Sequence, residues 1–265
     1  MSEKSLVLLW AQEFNEQGGT LPDTDRVWTY DLGSKYDGWG NQELEYYTDH
    51  NAVTDGKGNL VISATRIPAQ DPVLQEFSHL EFFSTRMHTK NHYAFKYGRI
   101  EARIKMPKGQ GTWPAMWLLG SSFGDVEWPH CGEIDVIEIG DEKNKLHCTL
   151  HGPGYFGDDG LAGPVVLDSN TLSDEFHDYA IEWTPGRIEW YFDGELIASK
   201  VAADAEARNS TWVFDDEFFI IINLAMGGMF VPGGIDPELQ SASYTIDYIR
   251  HYSVDGVGSV RTLKV

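Results

Sequence analysis

The sequence predicts an all-β sandwich folded as one domain over residues 1–265, and three observations point that way. Short segments alternate polar and apolar residues with period two, an Asp-Gly pair joins two of them, and no stretch repeats at helical spacing. A chain of 265 residues with 42% hydrophobic content can bury a sizeable core, and sandwiches of this length commonly form one domain. The 27 glycines and 11 prolines are scattered, so no linker, repeat or low-complexity tract divides the chain.

The strands follow in order. Leu60 to Thr65 alternates and is one expected strand. Arg99 to Met106 sets Ile100, Ala102, Ile104 and Met106 against Arg99, Glu101, Arg103 and Lys105, the pattern of a half-exposed strand. Tyr179 to Trp183 and Tyr244 to Arg250 repeat that period. Asp193-Gly194, between IEWYF and ELIAS, tolerates the positive φ angles of a type I′ hairpin turn. Glu217 to Leu224 is a nearly continuous apolar run, suited to a strand buried on both faces. The tail from Ser253 to Val265 is the least constrained part, either a closing strand or an added remnant.

Cys131 to Gly140 reads CGEIDVIEIG, with Glu133, Asp135 and Glu138 set among Ile134, Val136, Ile137 and Ile139. Strand alternation places Glu133 and Asp135 on one face and would send Glu138 into the core, where an unpaired charge is costly. One inserted residue, a β-bulge around Val136 and Ile137, returns Glu138 to the face of the other two acids and keeps Ile134 and Ile139 inward. Three acids on one face repel one another, so at least one is expected to hold its proton near neutral pH. A proton donor beside a nucleophile is the division of labour of a retaining glycosidase. The bland alternative, a solvated acidic strand, needs no register break.

The run Glu133-Ile134-Asp135-Val136-Ile137-Glu138 resembles the E-x-D-x-x-E signature of the laminarinase-like branch of family-16 glycoside hydrolases, not the shorter E-x-D-x-E form. WAQEFN from Trp10, GWGNQELEYYT from Gly38, YGRIEARIKMPKGQGTWPAMWLLG from Tyr97, HGPGY from His151, NLAMGG from Asn223 and TIDYIRHY from Thr245 are similar to family segments in the same order. The resemblance covers Trp10 to Tyr252. It implies a β-jelly roll of two curved antiparallel sheets with a concave substrate cleft. It also implies that Glu133 is the nucleophile, Glu138 the general acid/base and Asp135 the carboxylate that orients the nucleophile; the residues by themselves leave open which glutamate does which.

With Lys plus Arg 20 against Asp plus Glu 41, the net charge is −21, which repels nucleic acid and anionic membrane surfaces and makes a neutral glucan the more economical substrate. Aromatic residues are abundant, with 9 Trp, 12 Tyr and 13 Phe, and aromatic faces stack on neutral sugar rings. Most are core, but Trp113 and Trp117 stand just before the carboxylate strand and Trp128 lies five residues before Glu133, so all three are placed to border the cleft. The resemblance implies that Asn41 and Arg86 donate hydrogen bonds to sugar hydroxyls, the alternatives being a turn-capping amide and a surface salt bridge. His151 can hydrogen-bond Asp135 or a substrate hydroxyl, or serve as a structural histidine.

No H-E-x-x-H or paired-cysteine spacing exists, so no catalytic metal is expected. The resemblance implies a structural calcium ion held by Glu13, the carbonyl of Gly58 and Asp247, hard oxygen donors of the kind calcium prefers. Cys131 and Cys148 flank a unit whose hairpin midpoint does not set them opposite one another, so two free thiols are expected. The opening MSEKSLVLLWAQEF has a short apolar run without a small-residue cleavage site, so an extracellular polysaccharide hydrolase is expected to have lost its signal. Two departures from the family stand out: Ile137 where Met is frequent, and Met229-Phe230 where a Trp is common.

These readings combine into a monomeric, retaining endo-β-1,3-glucanase, with mixed-linkage β-1,3-1,4-glucan as a second substrate. The rivals are a galactan hydrolase or a transglycosylase on the same scaffold and, from a different class, a non-catalytic β-glucan-binding lectin. The intact Glu133 and Glu138 count against the lectin.

Overall fold

The computed structural model describes residues 4–167 and 172–263. Two sheets stack as the jelly roll that the resemblance implies. The first runs in the order Glu195–Val201, Arg187–Phe192, His177–Thr184, Gly98–Lys105, Ser241–Val254, Leu60–Arg66, Phe82–Ser84 and Glu45–Tyr47, with Leu6–Gln12 beside Ser241–Val254 and Ala52–Thr54 beside Leu60–Arg66. The second runs Leu161–Val166, Lys145–His151, Glu133–Ile139, Thr112–Gly120, Phe218–Met226, Arg86–His88 and Thr29–Asp31. Among the described strands, pairing is antiparallel except between Glu45–Tyr47 and Phe82–Ser84. The helices Val73–Glu76 and Ala202–Glu206 are single turns, as the lack of helical periodicity anticipates.

The alternating strands do what their pattern dictates. In Gly98–Lys105 every second residue is buried, and Ile100, Ala102 and Ile104 join Leu60, Ile62, Ile181 and Trp183 in the core between the sheets. Phe218–Met226 is buried throughout. Its residues Phe218, Ile220, Ile222, Leu224 and Met226 enter the main core. On its other face Phe219 and Ile221 pack with Leu119 and Cys131, and Ala225 with Trp113 and Val231. That second face floors the candidate site.

Asp193 and Gly194 have φ of 47° and 82°, the left-handed pair that a type I′ turn needs. The tail resolves as a closing strand. A second Asp-Gly pair, Asp255 and Gly256, adopts φ of 49° and 82° and returns the chain into Ser259–Thr262, which pairs with Tyr93–Lys96. Cys131 and Cys148 are buried free thiols.

The register break in the carboxylate strand falls where the charge pattern demands it. Met116 pairs with Ile137 but Trp117 pairs with Asp135, so Val136 is the extra residue. On the other side three residues lie between Ile134 and Glu138 where the partner strand has two between Leu150 and His147. The Asp135 carbonyl beside the bulge accepts the Trp190 indole N–H at 2.8 Å from the opposite sheet. Deleting Val136 would restore the regular period and still leave Glu133, Asp135 and Glu138 on one face, because Ile134, Ile137 and Ile139 would then alternate with them. Trp190→Phe, which leaves the buried Asp135 carbonyl at the bulge without its donor, should cost about 1–3 kcal/mol, or about 2–12 °C in Tm in thermal melts; an unchanged melt would contradict the anchoring of the bulge by Trp190.

Candidate active site

The open face of the second sheet is ordered in rows that cross the strands. Asp31, Arg86, Asn223, Ala115, Glu138 and His147 form one row. Thr29, His88, Ile221, Trp117 and Asp135 form the next, and Phe219, Leu119, Glu133 and His151 a third. The three carboxylates therefore occupy three successive rows on one face, which the strand achieves only through its extra residue.

Each glutamate has one aromatic donor. Trp128 Nε1 donates to Glu133 Oε2 at 3.0 Å, and Trp113 Nε1 to Glu138 Oε1 at 3.0 Å. Between them Asp135 has only 3% of its side chain exposed against 17% for Glu133, so a sugar can reach the glutamate but not the aspartate. His151 Nε2 lies 3.0 Å from Asp135 Oδ2 and 3.6 Å from Glu133 Oε1. The Gly157 amide donates to His151 Nδ1 at 3.1 Å, which leaves the ring proton of the neutral imidazole on Nε2, facing the carboxylates. Glu133, Asp135 and His151 bring donor atoms within 4.8 Å of one another, but a metal would need the Nε2 lone pair that this tautomer lacks.

Burial, followed by the charge of Asp135, pushes the Glu133 and Glu138 carboxyls up to about 8. Burial also holds Asp135 well above the usual aspartate range. The two indole donors pull the other way, because a hydrogen bond to the anion favours ionisation.

The expected binding residues divide. Trp128 is 40% exposed and meets Phe156 edge-on at 5.4 Å, so it offers an open face. Trp117 is half-buried, its Nε1 held by Asn223 Oδ1 at 2.9 Å. Trp113 is buried, stacked on Phe230 at 4.8 Å, and meets the site through its bond to Glu138. Arg86 Nε is paired to Asp31 at 3.0 Å, and its guanidinium lies between the rings of Trp39 and Trp117 at 4.7 and 5.0 Å. Asn41 gives its Nδ2 to Glu43 at 2.9 Å, and its carbonyl accepts from the Met229 amide. Trp39 sits on a strained loop where Tyr36, Asp37, Trp39 and Gln42 all have positive φ, between 51° and 58°.

Sequence reasoning missed Glu43, Tyr47, Asn223 and Gly157. A lone Asn inside a wholly apolar strand was a signal for Asn223; the Gly157 contact comes through a backbone amide and leaves no side-chain pattern. The calcium set does not fit a cation. Both oxygens of Glu13 accept from Arg250, at 2.7 and 2.8 Å, and Asp247 faces Arg103 at 3.4 Å, so guanidinium groups stand where calcium would need free oxygens. The Gly58 carbonyl alone cannot hold an ion.

Residues 39–250 match the family model for glycosyl hydrolases family 16. The chain belongs to this family. It is 38% identical to a beta-glucanase of Rhodothermus marinus, over 92% of this chain and 84% of that protein. A glucan endo-1,3-beta-glucosidase of Cryptopygus antarcticus is 34% identical, over 93% of this chain and 92% of that one. Among solved structures, the laminarinase catalytic domain of Thermotoga maritima MSB8 superposes with a TM-score of 0.84 at 39% identity, covering 94% of this chain and 98% of its own.

In this family-16 chain the raised carboxyls make stability depend on pH. Unfolded glutamates release their protons near the ordinary value of 4.5 and the folded ones near 8, so between those values the folded state holds more protons and stability falls as pH rises. Glu133→Gln and Glu138→Gln should each melt a few degrees above wild type at pH 9, with the gap closing toward pH 5. Calorimetry showing an equal gap at both pH values would contradict the raised carboxyls.

Proposed function

We propose that the chain is a retaining endo-β-1,3-glucanase of the laminarinase type, acting on neutral β-glucan and accepting mixed-linkage β-1,3-1,4-glucan as a second substrate. The observation that carries this reading is the shared face of Glu133 and Glu138, each with one indole donor, around a buried Asp135. In the first step Glu133 attacks the anomeric carbon while Glu138 gives its proton to the departing glycosidic oxygen, and the C–O bond breaks. In the second, Glu138 takes a proton from water, which attacks the glycosyl ester and frees Glu133. The His151 N–H, 3.6 Å from Glu133 and 3.0 Å from Asp135, offsets the charge on the nucleophile. The β-1,3 preference is supported by the glucanase relatives, and the neutral substrate by the net charge of −21.

Nothing in the row architecture needs a second copy, so the enzyme is proposed to act as a monomer, and outside the cell, where polymeric glucan is found. Among the described residues no helix is long and apolar enough to cross a membrane.

Reducing-end release from laminarin, barley mixed-linkage glucan and agarose tests the proposal. Laminarin should be cleaved, barley glucan more slowly and agarose not at all, and Glu133→Gln should lose at least about 1,000-fold in kcat. Cleavage of agarose alone would move the assignment to a galactan hydrolase, and binding of laminarin with no cleavage to a lectin.

A further inference from the structure

The two glutamates have nearly the same surroundings, yet double displacement, the reading on which this inference rests, requires them to differ. Each has an indole donor at 3.0 Å and each faces Asp135. Two neighbours break the tie. On one side the His151 N–H lies beside Glu133. On the other is a fourth carboxylate, Glu43.

Glu138, Ala115 and Asn223 are in register on three adjacent strands, so the first and last backbones stand about 10 Å apart, with the small Ala115 side chain between them in the row. Asn223 Nδ2 donates to Tyr47 OH at 3.3 Å, Tyr47 OH to Glu43 Oε2 at 3.0 Å, and Asn41 Nδ2 to Glu43 Oε1 at 2.9 Å. Both Glu43 oxygens thus act as acceptors, the arrangement of a carboxylate. At 3% exposure its charge is poorly screened by water. The backbone holds it tightly: a Cβ at Gly38 would lie 2.3 Å from the Glu43 amide nitrogen. Behind it, burial and then the charge of Glu43 keep the fully buried Glu45 protonated, and Glu45 Oε2 accepts from the Met226 amide at 2.7 Å.

We propose that Glu43 is a positioning residue whose buried anion, facing Glu138 across Ala115, keeps the acid's proton on Glu138 rather than on Glu133. Its charge is among the influences that raise the Glu138 carboxyl. The other groups facing Glu138 are Asp135 and Glu133 on its own strand and His147 and His151 on the next; Thr112–Gly120 contributes the Trp113 N–H and no charge. Around Glu43 stand Glu45, Tyr47 and, beyond Tyr47, Arg86. Asp135 acts on both glutamates, and His151, 3.6 Å from Glu133, favours the anion there, so His151 and Glu43 separate the pair from opposite sides.

The test is the pH profile of kcat/KM on laminarin. Its alkaline limb follows loss of the proton from Glu138. Glu43→Gln removes the anion and keeps the shape, and should move that limb down by about one pH unit, a roughly tenfold loss above the wild-type limb with little change below it. Tyr47→Phe, which removes one donor from the same carboxylate, should move it the same way by less and covers the case in which Glu43→Gln does not fold. Glu45→Gln, replacing a carboxyl that is already neutral, should leave the limb in place. A limb that stays put or rises in both Glu43→Gln and Tyr47→Phe overturns the proposal, as does a shift confined to Glu45→Gln. A dinitrophenyl β-glycoside, whose leaving group needs no proton, separates this from the underlying reading. Glu138→Ala should form the glycosyl-enzyme from it in a burst while losing laminarin hydrolysis; loss of both would overturn the acid/base assignment itself.

Discussion

Between Asp135 and Ile137 the strand Glu133–Ile139 carries one residue more than either neighbour, and the site depends on that local mismatch. A regular strand would have to bury one of its three acids among the isoleucines, at a cost of several kcal/mol for an unpaired charge. The extra Val136 lets Ile134, Ile137 and Ile139 stay in the core while all three acids face out. The carbonyl next to the break is claimed by Trp190 from the opposite sheet, so the core that stabilises the sandwich also fixes the bulge.

Once the acids share a face, electrostatics decides what they can do. Burial and mutual repulsion hold protons in the cluster up to about pH 8, and three neighbours settle where those protons reside. Gly157 fixes the tautomer of His151, His151 faces Asp135 and Glu133, and Glu43 lies on the side of Glu138. Each of the three is held by a backbone feature or a buried network, as expected where small displacements would change reactivity.

The sequence made the bulge legible because a charge stood at the wrong parity inside an apolar run, and period two leaves only one economical remedy. The strand Phe218–Met226 and the Asp193-Gly194 turn were equally readable, from burial on both faces and from turn chemistry. The tail was readable in principle too, since Asp255-Gly256 carries the same turn signal. Other features were not. The alternation in ELEYY from Glu43 suits a solvated strand as well as a buried carboxyl pair, and only the fold shows that Glu43 and Glu45 are covered. The pairing of Glu13 with Arg250 joins residues 237 apart in the chain, so a sequence resemblance reads Glu13 as a cation ligand where tertiary structure supplies a guanidinium.

The central claim is that Glu133 and Glu138 work by double displacement, and the anomeric configuration of the first-formed product tests it most directly. Proton NMR of laminarin hydrolysis, recorded before mutarotation, should show the β-anomer of the new reducing end appearing first, with the α-anomer following as the sugar equilibrates. Initial formation of the α-anomer would mean a single displacement by water, and would contradict the roles given to both glutamates.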